Sequence, residues 1–189
     1  RMAFGGRLMK ESGVYVAPVY AGKTQAVVLE DKWGPINIYL LPFVKPANVK
    51  RFFEDEQIEN YTDAIRVAVE QMKLNTDERN VLVTHQFVTG AKRSESEDIS
   101  VGGTDNVDAS VFDAFDYVAL GHIHGPQKIG RETVRYCGTP LKYSFSEIHH
   151  KKSVTIVEMK EKGNVEISTK ELAPLRDWCE MKGTYMELT

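Results

Sequence analysis

The chain has 189 residues, of which 42% are hydrophobic and 27% are charged, with a formal net charge of −3 at pH 7. These proportions suit one globular domain with a sizeable core, and no stretch is apolar enough to span a bilayer or to act as a signal peptide. The two cysteines give no disulfide framework, so a protein in a reduced, cytoplasmic setting and without membrane contact is predicted. The net charge does not indicate a passive nucleic-acid binder.

The first half of the chain alternates predicted strands with a predicted helix. Strands are expected at residues 25–30, 36–43 and 81–84, and a helix at residues 61–74. A breaker-rich turn at 31–35 separates the first two strands, and prolines at 42 and 46 stop the second. Asn60 or Thr62 is expected to cap the helix.

The second half begins with a polar stretch from Gly90 to Asn106, which reads as a long loop of the kind that is usually functional or mobile. A short helix capped by Asp108 then precedes a strand that ends at Gly121. Further strands are predicted at residues 128–129, 133–137, 153–159 and 165–172, with a hairpin turn at 161–164. The element order predicts a mixed α/β layered fold that ends in an antiparallel meander.

Histidines follow two of the apolar strands at their C-terminal ends. His85 directly follows the strand at 81–84. His122 directly follows Gly121, and His124 stands two residues further on. Open α/β sheets place ligands beyond these strand ends, and neutral imidazole is a common ligand for transition ions. These three histidines are therefore candidate metal ligands. The alternative is that His85 is a core histidine and that the other two line a turn.

Other polar residues give weaker signals. Lys92 and Arg93 in the long loop could contact phosphate, although such loops carry basic residues in any case. His149 and His150 stand beside two lysines and read as solvated surface. Gly138 begins a turn that could lie at the rim of the same mouth as the histidines. Nucleophile elbows, Walker-type loops and dinucleotide fingerprints have no match in the sequence.

Several longer segments resemble the SbcD family of calcineurin-like metallophosphoesterases. They read VLVTHQF at 81–87, SESE at 94–97 running into VGG at 101–103, FDYVALGHIH at 115–124, RYCGTPLKYSFSE at 135–147 and LRD at 175–177. A lone G-H-x-H is shared by many metallophosphoesterases, whereas the segment at 135–147 is far more specific to SbcD. The chain looks like the C-terminal half of the SbcD catalytic domain, which is an αββα sandwich.

The resemblance implies a chemistry and a biological setting. The family holds two Mn²⁺ ions; by resemblance His85 and His122 would ligate one ion and His124 the other. The implied reaction is phosphodiester hydrolysis at double-stranded DNA ends and hairpins, during DNA repair, recombination and replication. In the family, an SbcC-type ATPase drives this exonuclease and endonuclease activity.

The family's D-x-H, G-D and G-N-H-D motifs have no counterpart in this sequence. They supply the remaining ligands, so the chain alone is expected to bind Mn²⁺ partially or not at all and to be inactive. Residues 1–176 are expected to form a partial catalytic domain and residues 177–189 the start of a truncated C-terminal region. An apolar sheet face left open to water would favour self-association.

Two alternatives to a nuclease fragment stay open at this point. One is another calcineurin-like phosphoesterase that acts on cyclic nucleotides or phosphoproteins, against which the long loop and the segment at 135–147 argue. The other is a non-catalytic scaffold or partner-binding module that keeps the fold.

Overall fold

One mixed sheet of six strands organises the computed structural model, which describes residues 6–17, 19–94 and 105–188. The strands are β1 (Ala26–Asp31), β2 (Gly34–Leu41), β3 (Arg79–His85), β4 (Phe87–Val88), β5 (Asn106–Val107), β6 (Tyr117–Gly121), β7 (Gln127–Ile129), β8 (Arg131–Tyr136), β9 (Ser153–Met159) and β10 (Val165–Glu171). The helices are α1 (Gly6–Glu11), α2 (Pro46–Lys50), α3 (Tyr61–Glu70) and α4 (Tyr185–Leu188), with 3₁₀ turns at Ala109–Phe112 and Phe145–Glu147.

The large sheet has the spatial order β1-β2-β3-β6-β8-β7. Its four central strands run parallel, whereas β1 and β7 are antiparallel to their neighbours. Parallel strands end at the same edge of a sheet, so β3 and β6 bring their C-termini together. The register pairs His85 with Gly121 at that edge.

The core lies on one face of this sheet. Leu82 and Leu120 point into it with the α3 residues Ile65 and Ala68, and all four side chains are buried. Alternate residues of β3 face the other way, and there Val83 keeps 40% of its surface exposed. Successive side chains of a β-strand point to opposite faces of the sheet, so burial of one face produces this alternation. The opposite face of the sheet is therefore partly open and apolar.

Helix α3 confirms the predicted helix but is shorter at its C-terminus. Asn60 caps it, since its side-chain oxygen accepts a 2.9 Å hydrogen bond from the Asp63 amide. Thr62 instead uses its hydroxyl to accept a 3.0 Å hydrogen bond from the Asp108 amide. The helix ends at Glu70 because the chain turns at Lys73, whose φ is 50°.

Helix α2 was not predicted from the sequence. Pro46, expected only to stop a strand, occupies the first turn of this helix. Proline fits there because its missing amide hydrogen would have no partner in the helix and its fixed φ suits a helix start.

The fold class is confirmed as mixed α/β with a terminal antiparallel strand pair. The four strands expected as one meander form two antiparallel pairs, β7 with β8 and β9 with β10. Asp108 caps the 3₁₀ turn Ala109–Phe112, where a short helix was predicted. No described helix has the length and apolar character needed to cross a membrane.

Two expectations are not tested by this architecture. The predicted boundary at residues 176 and 177 stays a prediction, and contacts cross it: Lys142 pairs with Asp177 at 2.8 Å, and the rings of Phe145 and Trp178 lie 4.7 Å apart. In the long loop, Glu95-Ser96-Glu97 and Val101-Gly102-Gly103 lie outside the described residues.

Candidate metal centre

His85 and His122 lie side by side at the C-terminal edge of the sheet. Their ring centroids are 5.3 Å apart and the rings are nearly perpendicular, at 86°. Gly121 makes room for this arrangement, since a Cβ at that position would lie only 2.8 Å from Nδ1 of His85. Gly121, which is predicted to let the chain turn sharply as it leaves the strand, therefore also makes room for the ring of His85.

His122 is held in an unfavourable backbone conformation. Its φ is 105°, a region that residues with a Cβ rarely adopt. Its ring packs near Phe87, with centroids 6.1 Å apart, as well as beside His85. Such strain persists only where the surrounding structure imposes it, and it clusters at functional sites.

Replacing His122 by glycine and by alanine will separate this strain from the loss of the ring. Both variants lose the imidazole, but only glycine adopts a φ of 105° freely. We expect His122→Gly to be more stable than His122→Ala by about 1 kcal/mol. Urea unfolding followed by circular dichroism measures the difference, and equal midpoints would show that the backbone there is not strained.

The environment of His85 favours the neutral imidazole. Partial burial lowers the pKa of His85 below its ordinary value, and the charge of the neighbouring His122 lowers this pKa further. Since a metal ion binds only the deprotonated nitrogen of imidazole, the histidine is already in its ligand form at neutral pH.

His124 is fixed by a different part of the chain. Its ring Nδ1 lies 3.0 Å from Oε1 of Glu147, and its ring centroid lies 5.7 Å from that of Tyr143. Its backbone carbonyl accepts a 3.1 Å hydrogen bond from the amide of Thr139. The turn that begins at Gly138 therefore does lie beside the histidines.

Glu147 and Lys152 are site residues that the sequence did not single out. Glu147 is fully buried and forms a 2.6 Å ion pair with Lys152, which is also buried. A charged pair in a polar, turn-rich segment looks solvated, because no apolar periodicity marks it as buried. The only sequence signal was that Glu147 ends the segment at 135–147 on which the family resemblance rested.

Lys92 and Arg93 line an open cleft of about 660 Å³ beside Gly125, the residue after His124. Lys128 and Lys151 line the same cleft, so it is basic. Arg93 is already engaged, since it pairs with Asp105 at 3.2 Å and stacks 3.5 Å from the centroid of the Phe87 ring.

Gln127 anchors the loop that carries Lys92 and Arg93. Its side-chain amide accepts a 2.8 Å hydrogen bond from the backbone amide of Lys92 and donates a 2.8 Å hydrogen bond to the backbone carbonyl of the same residue. His150, expected on solvated surface, packs its ring against Gly125 and lines the same cleft.

The donor set fits part of a metal centre. Two imidazoles stand together at adjacent strand ends, and the third is oriented by a carboxylate, an arrangement common around ligating histidines. Within the described ranges no group of three or more histidine, cysteine, aspartate or glutamate side chains is arranged to hold a metal ion.

Comparison with known proteins gives relatives along the whole chain. The SbcD component of the SbcCD nuclease from Staphylococcus epidermidis is 30% identical over 193 residues, which covers 100% of this chain and 50% of that protein. The protein of the same name from Staphylococcus saprophyticus is 33% identical over 190 residues, covering 98% of this chain and 49% of that protein. The chain thus spans about half the length of these relatives. No family model matches the sequence.

Proposed function

The chain resembles SbcD nuclease subunits along its whole length, and from this premise we propose that it belongs to their family and forms part of a manganese-dependent DNA nuclease. The observation that carries the proposal is the pairing of the His85 and His122 rings at adjacent strand ends, with His124 oriented nearby by Glu147. Strained backbone at His122 supports it, because such strain is kept where function requires it.

In this proposal His85 and His122 contribute to one Mn²⁺ ion and His124 to a second. The ions would polarise a phosphodiester and lower the pKa of a bound water. Within the chain, burial keeps His85 neutral, Gly121 gives its ring room, and the edge of the sheet holds both rings at a fixed separation.

Three imidazoles do not suffice for manganese, because Mn²⁺ is a hard ion that prefers oxygen ligands. We therefore propose that carboxylates from outside this sequence complete the centre and that the chain alone does not cleave DNA. The family motifs D-x-H, G-D and G-N-H-D are the proposed source of those oxygens.

The basic cleft is the proposed path for DNA. Lys92, Lys128 and Lys151 line it next to Gly125, so a phosphate bound there would lie close to the residue that follows His124. Arg93 would contribute its charge less directly, since Asp105 and Phe87 already engage its guanidinium group. Double-stranded DNA ends and hairpins are the proposed substrates.

The proposed setting is a cytoplasmic complex with an SbcC-type ATPase that acts in DNA repair, recombination and replication. The names of the relatives state that each is a subunit of a nuclease called SbcCD. For this chain by itself we propose self-association through the open sheet face around Val83, where apolar surface is exposed. A monomer in sedimentation velocity would contradict this last point.

A calorimetric Mn²⁺ titration tests the metal assignment. We expect weak binding by the chain and a further loss of at least about tenfold in His85→Ala and His122→Ala, because each removes one of two neighbouring ligands. His149→Ala is the matched control, since this histidine is exposed and is not one of the three candidate ligands.

Binding that none of the ligand variants changes would contradict the metal assignment and favour a non-catalytic scaffold. Adding hairpin DNA to the same samples tests the remaining claims. We expect no cleavage by the chain alone and weaker DNA binding after Lys92→Ala. Cleavage by the isolated chain would show that it carries a complete centre.

A further inference from the structure

A buried ion pair stands behind His124. Glu147 is 0% exposed and Lys152 is 4% exposed, and their side chains meet at 2.6 Å. A buried charge without its partner is strongly destabilising, and a buried pair is often no better for stability than packed apolar side chains. Stability alone therefore does not explain why two charges occupy this position.

Every donor of the Lys152 ammonium group is used. It donates to Oε2 of Glu147 at 2.6 Å, to Oγ1 of Thr139 at 2.9 Å and to the carbonyl of His124 at 3.0 Å. An ammonium group has three hydrogens and no acceptor, so the bonding of Lys152 is complete. Lys152 therefore fixes both the carboxylate and the backbone of the histidine.

The remaining oxygen of Glu147 faces the ring of His124. Oε1 lies 3.0 Å from Nδ1, while Oε2 is occupied by Lys152. A carboxylate only accepts hydrogen bonds, so Nδ1 must carry the hydrogen in this contact. In a neutral imidazole the lone pair is then on Nε2.

We propose that Glu147, held in place by Lys152, is a positioning residue that sets the ring tautomer of His124 and so presents Nε2 to a metal ion. The consequence for metal binding rests on the proposed function, whereas the tautomer itself does not. A hydrogen-bonded carboxylate also raises the basicity of the opposite nitrogen and fixes the ring orientation.

Nitrogen-detected NMR of the metal-free chain tests the tautomer directly. At about pH 8.5, where an ordinary imidazole is neutral, we expect the His124 ring to carry its hydrogen on Nδ1. A hydrogen on Nε2 in the wild-type chain would overturn the proposal, whatever the behaviour of any variant.

Two variants separate positioning from folding. Glu147→Leu combined with Lys152→Met replaces both charges by apolar groups of similar size, so the chain should fold while His124 loses its fixed tautomer. Thr139→Val is the matched control, because it removes one acceptor of Lys152 and leaves Glu147 in place. A folded double variant that keeps the hydrogen on Nδ1 would overturn the proposal.

An Mn²⁺ titration of the same variants distinguishes this proposal from the function on which it draws. We expect the double variant to bind Mn²⁺ about 10–100-fold more weakly than the control. Unchanged affinity with an altered tautomer would show that Glu147 positions the ring but that His124 is not a ligand. That result would count against the metal assignment of His124 and leave the positioning role intact.

Discussion

Replacing Arg79 by methionine will lower the free energy of unfolding by about 2–4 kcal/mol, because three backbone carbonyls lose a charged donor. Arg79 is only 2% exposed, and its guanidinium group donates to the carbonyls of Gly34, Met159 and Lys160. It also binds both carboxylate oxygens of Asp31. One side chain thus ties β3 to the β1–β2 turn and to the end of β9.

The measurement is urea unfolding followed by circular dichroism. Arg66→Met is the matched control, since Arg66 forms an exposed i,i+4 pair with Glu70, and such pairs contribute about 0.3–0.5 kcal/mol. If Arg79→Met lowered the free energy of unfolding no more than Arg66→Met does, the guanidinium contacts would not hold the β1–β2 turn and the end of β9 to β3.

Arg79 also gives the chain a specific acid response. Its hydrogen bond lowers the pKa of Asp31 below the ordinary value, and the amide of Trp33 lowers this pKa further. A depressed carboxyl pKa stabilises the fold above the unfolded value of about 4, and this contribution is lost as the pH falls through the folded value. Arg79→Met should therefore flatten the fall in stability on acidification below about pH 4, which unfolding at several pH values will show.

Local patterns predicted those parts of the fold that local physics determines. The apolar spacing of Ile65 and Val69 located α3, and the apolar run at 81–84 located β3. The rule that open α/β sheets place ligands beyond the strand ends singled out His85, His122 and His124, and the parallel pairing of β3 with β6 brings the first two rings together. Their assignment to one ion came only from the family resemblance.

Contacts between distant segments could not be predicted from the sequence. The split of the expected meander into two strand pairs depends on where β9 and β10 pack, which alternation along a strand does not encode. Glu147 and Lys152 were missed for a related reason. Their burial follows from the turn at 138–140 folding against His124, and neither charge carries an apolar signal.

Replacing Gly138 by alanine will also be costly, at about 2–4 kcal/mol, and will disturb the site as well as the fold. The φ of Gly138 is 77°, which disfavours any residue with a Cβ. A Cβ here would lie 2.6 Å from the carbonyl oxygen of His124 and 2.9 Å from the nitrogen of Pro126. Both are backbone atoms, so relief requires the segment 124–126 to move.

Gly163→Ala is the control that isolates this clash. Gly163 has a similar φ of 83°, but a Cβ added there would meet nothing within 4 Å, so alanine costs only the backbone term of about 1 kcal/mol. The excess cost of Gly138→Ala over Gly163→Ala measures how tightly the turn packs on His124. Equal costs would mean that the turn can withdraw from the histidine without penalty. A large excess, together with a weakened Thr139–His124 hydrogen bond in hydrogen exchange, would place Gly138 among the residues that hold the site together.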